Sequence, residues 1–318
     1  YKAAPADALK AALASIERKR KQTELQARYA EQLARFEFPE ELGALLPQLL
    51  YRPDKGAVEF KALEQAAAQT HLTIAKLLEK SGALPSSRDY HFGRFLFEYF
   101  PRGAGFDPAL AAAGPGDLEL SAVEAFSIDD ATTTEIDDAF SVTKLANGNW
   151  QVGVHIAAPA LGVLPDSPLD REAAKRLSTV YFPGDKITML PETAIAQYTL
   201  SQGLDCPALS MYIEVTPELD IAGHRNVVER VSVAANLRHD SLEAQFNEQL
   251  LAAGRVEHRF GEQLVVLWRL ATKLERQRGK DEPANARADY NFYVDDDRIR
   301  IVERRRGSPI DKVVSEMM

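Results

Sequence analysis

Residues Phe126 to Phe140 read FSIDDATTTEIDDAF. Five carboxylates, Asp129, Asp130, Glu135, Asp137 and Asp138, fall within ten positions, and apolar residues of strand character flank them. Carboxylates this close repel one another when ionised, so protonation, basic neighbours or a cation must compensate. Hard cations such as Mg²⁺ and Mn²⁺ prefer oxygen ligands. An EF-hand loop is excluded, because Thr132, Thr133 and Thr134 fill the centre and no glycine is present. A zinc site would need His or Cys, and none follows until His155. A solvated acidic turn is the alternative. It accounts for Asp129 and Asp130 better than for Asp137 and Asp138, which run directly into the strand-like AFSV. In a regular strand those two would face opposite sides, so the spacing predicts irregular backbone between Asp129 and Ala139.

Outward from this loop, LELSAVEAFSID alternates as a strand does. AFSVTKLANGNWQVGVHIA reads as a hairpin turning at Asn147 and Gly148. LSMYIEVTPELDIAGHRNVVERVSVAANL supplies two more strands around a turn near Leu219 to Gly223. DSLEAQFNEQLLAAG and EQLVVLWRLATKLERQR are amphipathic helices, and YNFYVDDDRIRIVERR is a further hairpin. The closing PIDKVVSEMM reads as an apolar helix without a polar tail, so the natural protein is expected to continue beyond Met318.

The first hundred residues have a different texture. Pro5 suits a first helical turn, and Leu9, Leu13, Ile16, Leu25, Tyr29 and Leu33 recur at helical spacing up to Pro39. The basic run Arg18 to Lys21 spreads around the helix axis and reads as solvated surface. Between Val58 and Leu84 two short helices meet at a break near Gln69 to Leu72, with Thr70 or Thr73 as cap and Gly82 as terminator. A third helix is expected over about Arg88 to Phe100. The fold class expected is therefore α+β: a small all-α, winged-helix-like helix-turn-helix domain over 1–100, a Gly/Pro/Ala-rich linker over 101–118, and a mixed domain over 119–318.

The formal net charge of −9 argues against non-specific coating of duplexes. The first 118 residues are close to neutral, however, and the acidic surplus lies beyond them. A gated nucleic-acid site remains open, as does a nucleic-acid contact by the helix-turn-helix. No apolar run approaches the roughly 20 residues of a membrane helix. The one cysteine, Cys206, excludes an internal disulfide, suits a reducing cytoplasm and reads as a small core residue. His155 lies in a strand and reads as a packed core histidine. Arg304 to Arg306 either line a nucleic-acid path or end a hairpin in solvent.

The segment IDDATTTEIDDA resembles the catalytic signature of the ribonuclease II exoribonucleases, the RNB domain. Asp129, Glu135, Asp137 and Asp138 fall on its four acidic positions, with Glu135 where the family usually has Asp. LDREAAKRLSTVYFPGDKITMLP, Leu169 to Pro191, resembles the family's second block, with its Tyr-x-Pro-Gly and Met-Leu-Pro elements. YTLSQGLDCPALSM, RADYNF and VVSEMM are similar to other blocks. Ala158 departs from the pattern, as does the helical N-terminus, where many members carry cold-shock domains.

The resemblance implies processive 3′-to-5′ hydrolysis of single-stranded RNA to 5′-mononucleotides. It implies Mg²⁺, with Mn²⁺ as the other option, on Asp129 and Asp138, with Glu135 as a third ligand. Asp137 would orient or deprotonate the attacking water, or bind a second ion. Tyr181, a core tyrosine by composition alone, would stack on the 3′-terminal base; Arg176 would touch phosphate or else form a surface ion pair, and Glu316 would touch the ribose. A monomer in the cytoplasm is expected, with further RNB residues and an OB-fold domain beyond Met318. The alternative function is a non-catalytic nucleic-acid-binding regulator with a degenerate RNB-like domain, and a third reading is a calcium-stabilised structural domain.

Overall fold

The computed structural model describes residues 5–279 apart from Thr132 and Pro183, together with 289–295, 298–304 and 307–317. Arg287, Arg305 and Arg306, singled out in the sequence, lie outside the described residues. The chain forms two compact units, Tyr1–Gly105 and Phe106–Met318.

The first unit contains only helices among its described residues: α1 (Ala6–Ala34), a 3₁₀ segment (Glu40–Leu45), α2 (Leu46–Tyr51), α3 (Val58–Thr70), α4 (Ile74–Lys80) and α5 (Ser87–Tyr99). Tyr29, Ala30 and Leu33 from the end of α1 meet Phe60, Leu63 and Ala66 of α3 and Leu77 and Leu78 of α4 in one core. His71 takes a left-handed conformation (φ 58°) and stops α3. Two residues later the Thr73 hydroxyl accepts from the Lys76 amide at 3.3 Å and starts α4, so of the two threonines weighed as cap it is Thr73 that serves. The helix-turn-helix is present, but no described strand follows it as a wing. Arg18 to Lys21 are exposed, as expected.

The second unit is built on a closed five-stranded barrel of β1 (Leu120–Asp129), β2 (Asp138–Lys144), β3 (Trp150–Ala157), β6 (Asp205–Val215) and β7 (Ile221–Arg238) in the order β1-β2-β3-β6-β7. A parallel pairing of β1 with β7 closes it. The β2–β3 turn has Gly148 at φ 87°, as the Asn-Gly pair dictates. Alternation along the strands gives the barrel two faces. Ala125, Ser127, Ala139, Ser141, Ala208 and Ser210 are small and fully or almost fully buried, as the narrow interior of a five-stranded barrel requires. Phe126, Ile128, Phe140, Val152 and Val154 form the other face and pack under helices.

Those helices come from the C-terminal half. The segment expected as one helix forms two, α8 (His239–Glu243) and α9 (Glu248–Ala252), because the Asn247 side chain accepts from the Leu250 amide and starts a second helix. Next, α10 (Gly261–Gln277) buries Leu264, Leu267, Leu270 and Ala271, and α11 (Pro309–Met317) buries Ile310 and Val313. Between β3 and β6 lie α6 (Pro168–Arg176), the short ribbon β4 (Val180–Phe182) and β5 (Asp185–Ile187), and α7 (Glu192–Tyr198). The hairpin β8 (Asp289–Asp295) and β9 (Arg298–Arg304) precedes α11. Part of the Gly/Pro-rich stretch read as linker is fastened to this unit: the Ala113 carbonyl accepts from the Tyr198 hydroxyl at 2.7 Å, and the Ala113 amide donates to the Gly162 carbonyl at 2.9 Å. No helix among the described residues is long and apolar enough to cross a membrane.

Candidate functional site

The acidic loop hangs on the barrel rim. β1 ends at Asp129 and β2 begins at Asp138, and the described residues between them are not in strand. The expected irregular backbone is therefore present. The β1–β2 register pairs Phe126 with Phe140. On the other edge of β1, Asp129 pairs with Arg238 of β7. The Arg238 guanidinium donates to the carbonyls of Asp130 at 3.0 Å and Thr133 at 3.1 Å, holding the first half of the loop.

The second half is held by Ile136. Its side chain is buried, its amide donates to Thr199 Oγ1 at 2.7 Å, and its carbonyl accepts from the Leu200 amide at 2.9 Å. Neighbours of an inward side chain in extended backbone point the other way. Glu135 and Asp137 accordingly both line one cavity of about 370 Å³, with Thr179, Tyr181, Met189 and Tyr198. The Ala157 amide donates to the Asp137 carbonyl at 2.8 Å and fixes the entry to β2.

Asp129 is oriented from within the barrel. Ser127 Oγ donates to its Oδ2 at 2.5 Å, and Asn236 Nδ2 donates to Ser127 Oγ at 2.8 Å and to the Leu200 carbonyl at 2.9 Å. Asp129 and Asp130 open onto a second cavity of about 450 Å³ that also reaches Asp311, Lys312 and Glu316. Glu316 is buried and ion-paired with Arg278.

The electrostatics tie the four aspartates and glutamate together. Burial raises the Asp129 carboxyl, and Asp130 and Asp137 raise it further against the pull of Ser127 and Arg238. Burial and Glu135 raise Asp137, which Lys186 pulls back. Asp138 is pushed up to about 6 by burial, then by Asp129 and Asp137. Every influence on Asp138 therefore disfavours its charge, and all the donors are carboxylate oxygens. That set fits a hard divalent cation. Among the described residues, however, no three acidic, histidine or cysteine side chains are already drawn to metal-ligating spacing. Four of the acids are divided between two cavities, Glu135 and Asp137 on one and Asp129 and Asp130 on the other.

Glu135 has a different partner. The Lys186 ammonium donates to it and, at 2.8 Å, to Thr134 Oγ1. Lys186 stands directly opposite Tyr181 in the β4–β5 ribbon. Tyr181 is 66% exposed. Burial, then the neighbouring Glu135, pushes its hydroxyl above the usual tyrosine range. An aromatic ring thus stands at the mouth of the cavity that holds two of the acids.

Arg176 is a correction. It is not exposed to meet a phosphate: its guanidinium lies 3.6 Å from the centre of the Phe106 ring, is ion-paired with Glu172 at 3.1 Å and donates to the Thr188 carbonyl at 3.1 Å. Phe106, from the stretch read as linker, covers it. His155 sits where expected, fully buried, with Nδ1 at 2.8 Å from Ser210 Oγ and Nε2 at 2.9 Å from Ser141 Oγ. Cys206 is a buried core residue. Lys186, Arg238, Asn236 and Thr199 escaped sequence reasoning. Each acts across tens of residues, and the only signal was their proximity to quoted motifs.

This geometry has relatives. Ribonuclease R of Chlamydia muridarum is 33% identical over 126 residues, which is 39% of this chain and 18% of that protein. The segments matched in the first relatives span only 14–18% of their length. The Dss1 exoribonuclease of Candida glabrata, solved as an active-site mutant, superposes with a TM-score of 0.68 at 18% identity, over 93% of this chain and 44% of that one. Yeast Ssd1, a pseudonuclease, superposes with a TM-score of 0.51 at 17% identity, over 62% and 25%. The RNB domain family matches residues 118–318, most of the sequence and all of the barrel unit from just before β1, and this chain belongs to that family.

Proposed function

We propose that this chain carries the catalytic part of a processive 3′-to-5′ exoribonuclease that hydrolyses single-stranded RNA to 5′-mononucleotides. One observation supports it above the others: Glu135 and Asp137 share a cavity with the exposed Tyr181 ring, and Asp129 and Asp138 end the two strands beside them. Asp129 and Asp138, with Glu135 as a third ligand, would hold Mg²⁺, or Mn²⁺ in its place. A bound divalent ion lowers the pKa of water and offsets charge building on the phosphate. Asp137 faces the cavity with an exposed side chain, which suits a group that orients or deprotonates the attacking water. Tyr181 would hold the terminal base by stacking, which tolerates any sequence because every base has a π face. Glu316 stands with Asp129 at the second cavity, where a ribose contact is open to it. The helix-turn-helix would add a nucleic-acid contact, and the chain would act as a monomer in the cytoplasm, whose reducing conditions suit a free thiol.

The test uses 5′-labelled single-stranded RNA with Mg²⁺ or with chelator. Metal-dependent ladders that shorten from the 3′ end are expected, and intact RNA under both conditions would overturn the reading. A second reading, a non-catalytic regulator, is favoured by one observation: Glu135 is engaged by Lys186. Duplex binding without cleavage in the same experiment would support it.

A further inference from the structure

Lys186 lies within the Leu169 to Pro191 block but outside its Tyr-x-Pro-Gly and Met-Leu-Pro elements, and its ammonium lies inside the acidic loop. It comes from β5, directly across the ribbon from Tyr181, and donates to Glu135 and to Thr134 Oγ1. The Glu135 side chain is 10% exposed and that of Lys186 28%, so the pair is largely removed from water and poorly screened by salt. Exposed ion pairs of α1, such as Arg20 with Glu17, face solvent with half or more of their side chains exposed or nearly so and are of a different kind. Thr179 Oγ1 supports Glu135 from β4's approach, at 3.5 Å. Among the acids of the loop, Glu135 therefore has a fixed cation of its own, while Asp138 has only other acids and burial acting on it.

Resting on the metal-centre reading above, we propose that Lys186 is a resident counter-ion at Glu135, and that a divalent cation entering the loop competes with its ammonium for that carboxylate. Lys186 thereby limits how tightly the loop holds a metal, and it hooks the ribbon that carries Tyr181 to the loop that carries the acids. A cation that wins Glu135 unhooks the ribbon. Lys186 is a positioning residue in this account, acting through Glu135.

The experiment measures Mn²⁺ binding to the full chain without RNA, by electron paramagnetic resonance of the free ion, for the wild type, Lys186→Met, Lys186→Arg, Glu135→Gln and the double variant Lys186→Met with Glu135→Gln. An opposite charge at this range shifts a carboxylate's affinity for a cation by one or more powers of ten, so Lys186→Met should bind Mn²⁺ about tenfold more tightly. Lys186→Arg keeps the charge and should retain wild-type affinity. The gain should vanish in the double variant. Unchanged or weaker binding by Lys186→Met, or a gain that persists without Glu135, overturns the proposal and leaves the metal centre standing. Failure of all five proteins to bind Mn²⁺ overturns the metal-centre reading and the proposal with it.

Discussion

His155 and Asp138 occupy neighbouring registers of the same strand pair: Ala139 pairs with His155, and Asp138 with Ile156. Both are titratable groups drawn out of water, and burial acts on each against its charge. His155, inside the barrel, is lowered to about 4 and is neutral at pH 7, with a serine hydroxyl at each ring nitrogen. Asp138, on the rim, is raised to about 6 and still ionises at pH 7, beside two more acids. The interior cluster completes itself within the chain, whereas only burial and neighbouring acids act on Asp138 at the rim. A polar group whose partners are all internal reads as structure. Carboxylates crowded on a rim, two of them opening to one cavity, read as function.

Four substitutions test this contrast. Asp137→Asn should have the largest effect, lowering RNA hydrolysis by roughly 10²–10⁴-fold while binding of single-stranded RNA, followed by fluorescence anisotropy, stays within a few-fold. Full turnover by this variant would remove Asp137 from the chemistry. Gly153→Ala strikes the interior instead. An added Cβ would overlap Ser141 Oγ and lie 2.7 Å from His155 Nε2. A loss of about 1–3 kcal/mol is expected in chemical denaturation, and a neutral result would mean that the barrel interior is looser than its hydrogen bonds imply.

Asp138→Asn sharpens the contrast through pH. A carboxyl raised from 3.8 to about 6 contributes stability that is fully present below 3.8 and is lost as the pH rises through about 6. The chelator-treated wild type should therefore melt below Asp138→Asn at pH 7, with the two curves converging near pH 4. Added Mg²⁺ should raise the Tm of the wild type and not that of the variant. Parallel melting curves across this range would separate Asp138 from the charge repulsion assigned to it. The smallest effect is expected for Tyr181→Ala. Overall cleavage should fall by roughly tenfold, toward the lower end of the about 1–3 kcal/mol that one stacked base is worth, while the limit product lengthens on a sequencing gel. An unchanged limit product would remove the stacking role.

The loop's position and irregularity were legible because they follow from local patterns. Alternation marks β1, β2 and β3, the Asn-Gly pair marks their turn, and adjacent aspartates at a strand start force a break in the pleat. The helix-turn-helix was legible for the same reason, through Thr73 and Gly82. What the sequence hid is non-local. Arg238 reaches the loop only because β7 closes the barrel in parallel beside β1. Lys186 reaches Glu135 only because a three-residue ribbon folds over the cavity. Arg176 misled because basic residues near a motif suggest phosphate, whereas Phe106, seventy residues earlier, claims its guanidinium. The two-helix break at Asn247 turned on a cap that competes with continued helix, a contest that periodicity alone does not decide.

The Arg238 clamp also orders events in time. The carbonyls it holds belong to residues 108 and 105 positions earlier in the chain. During synthesis, the ribosome releases all the acids of the loop well before it makes the arginine that shapes them, so the nascent chain passes through a long stage with the charges but without the geometry. The acids of the loop are thus a charged but unshaped segment until the last strand of the barrel has emerged.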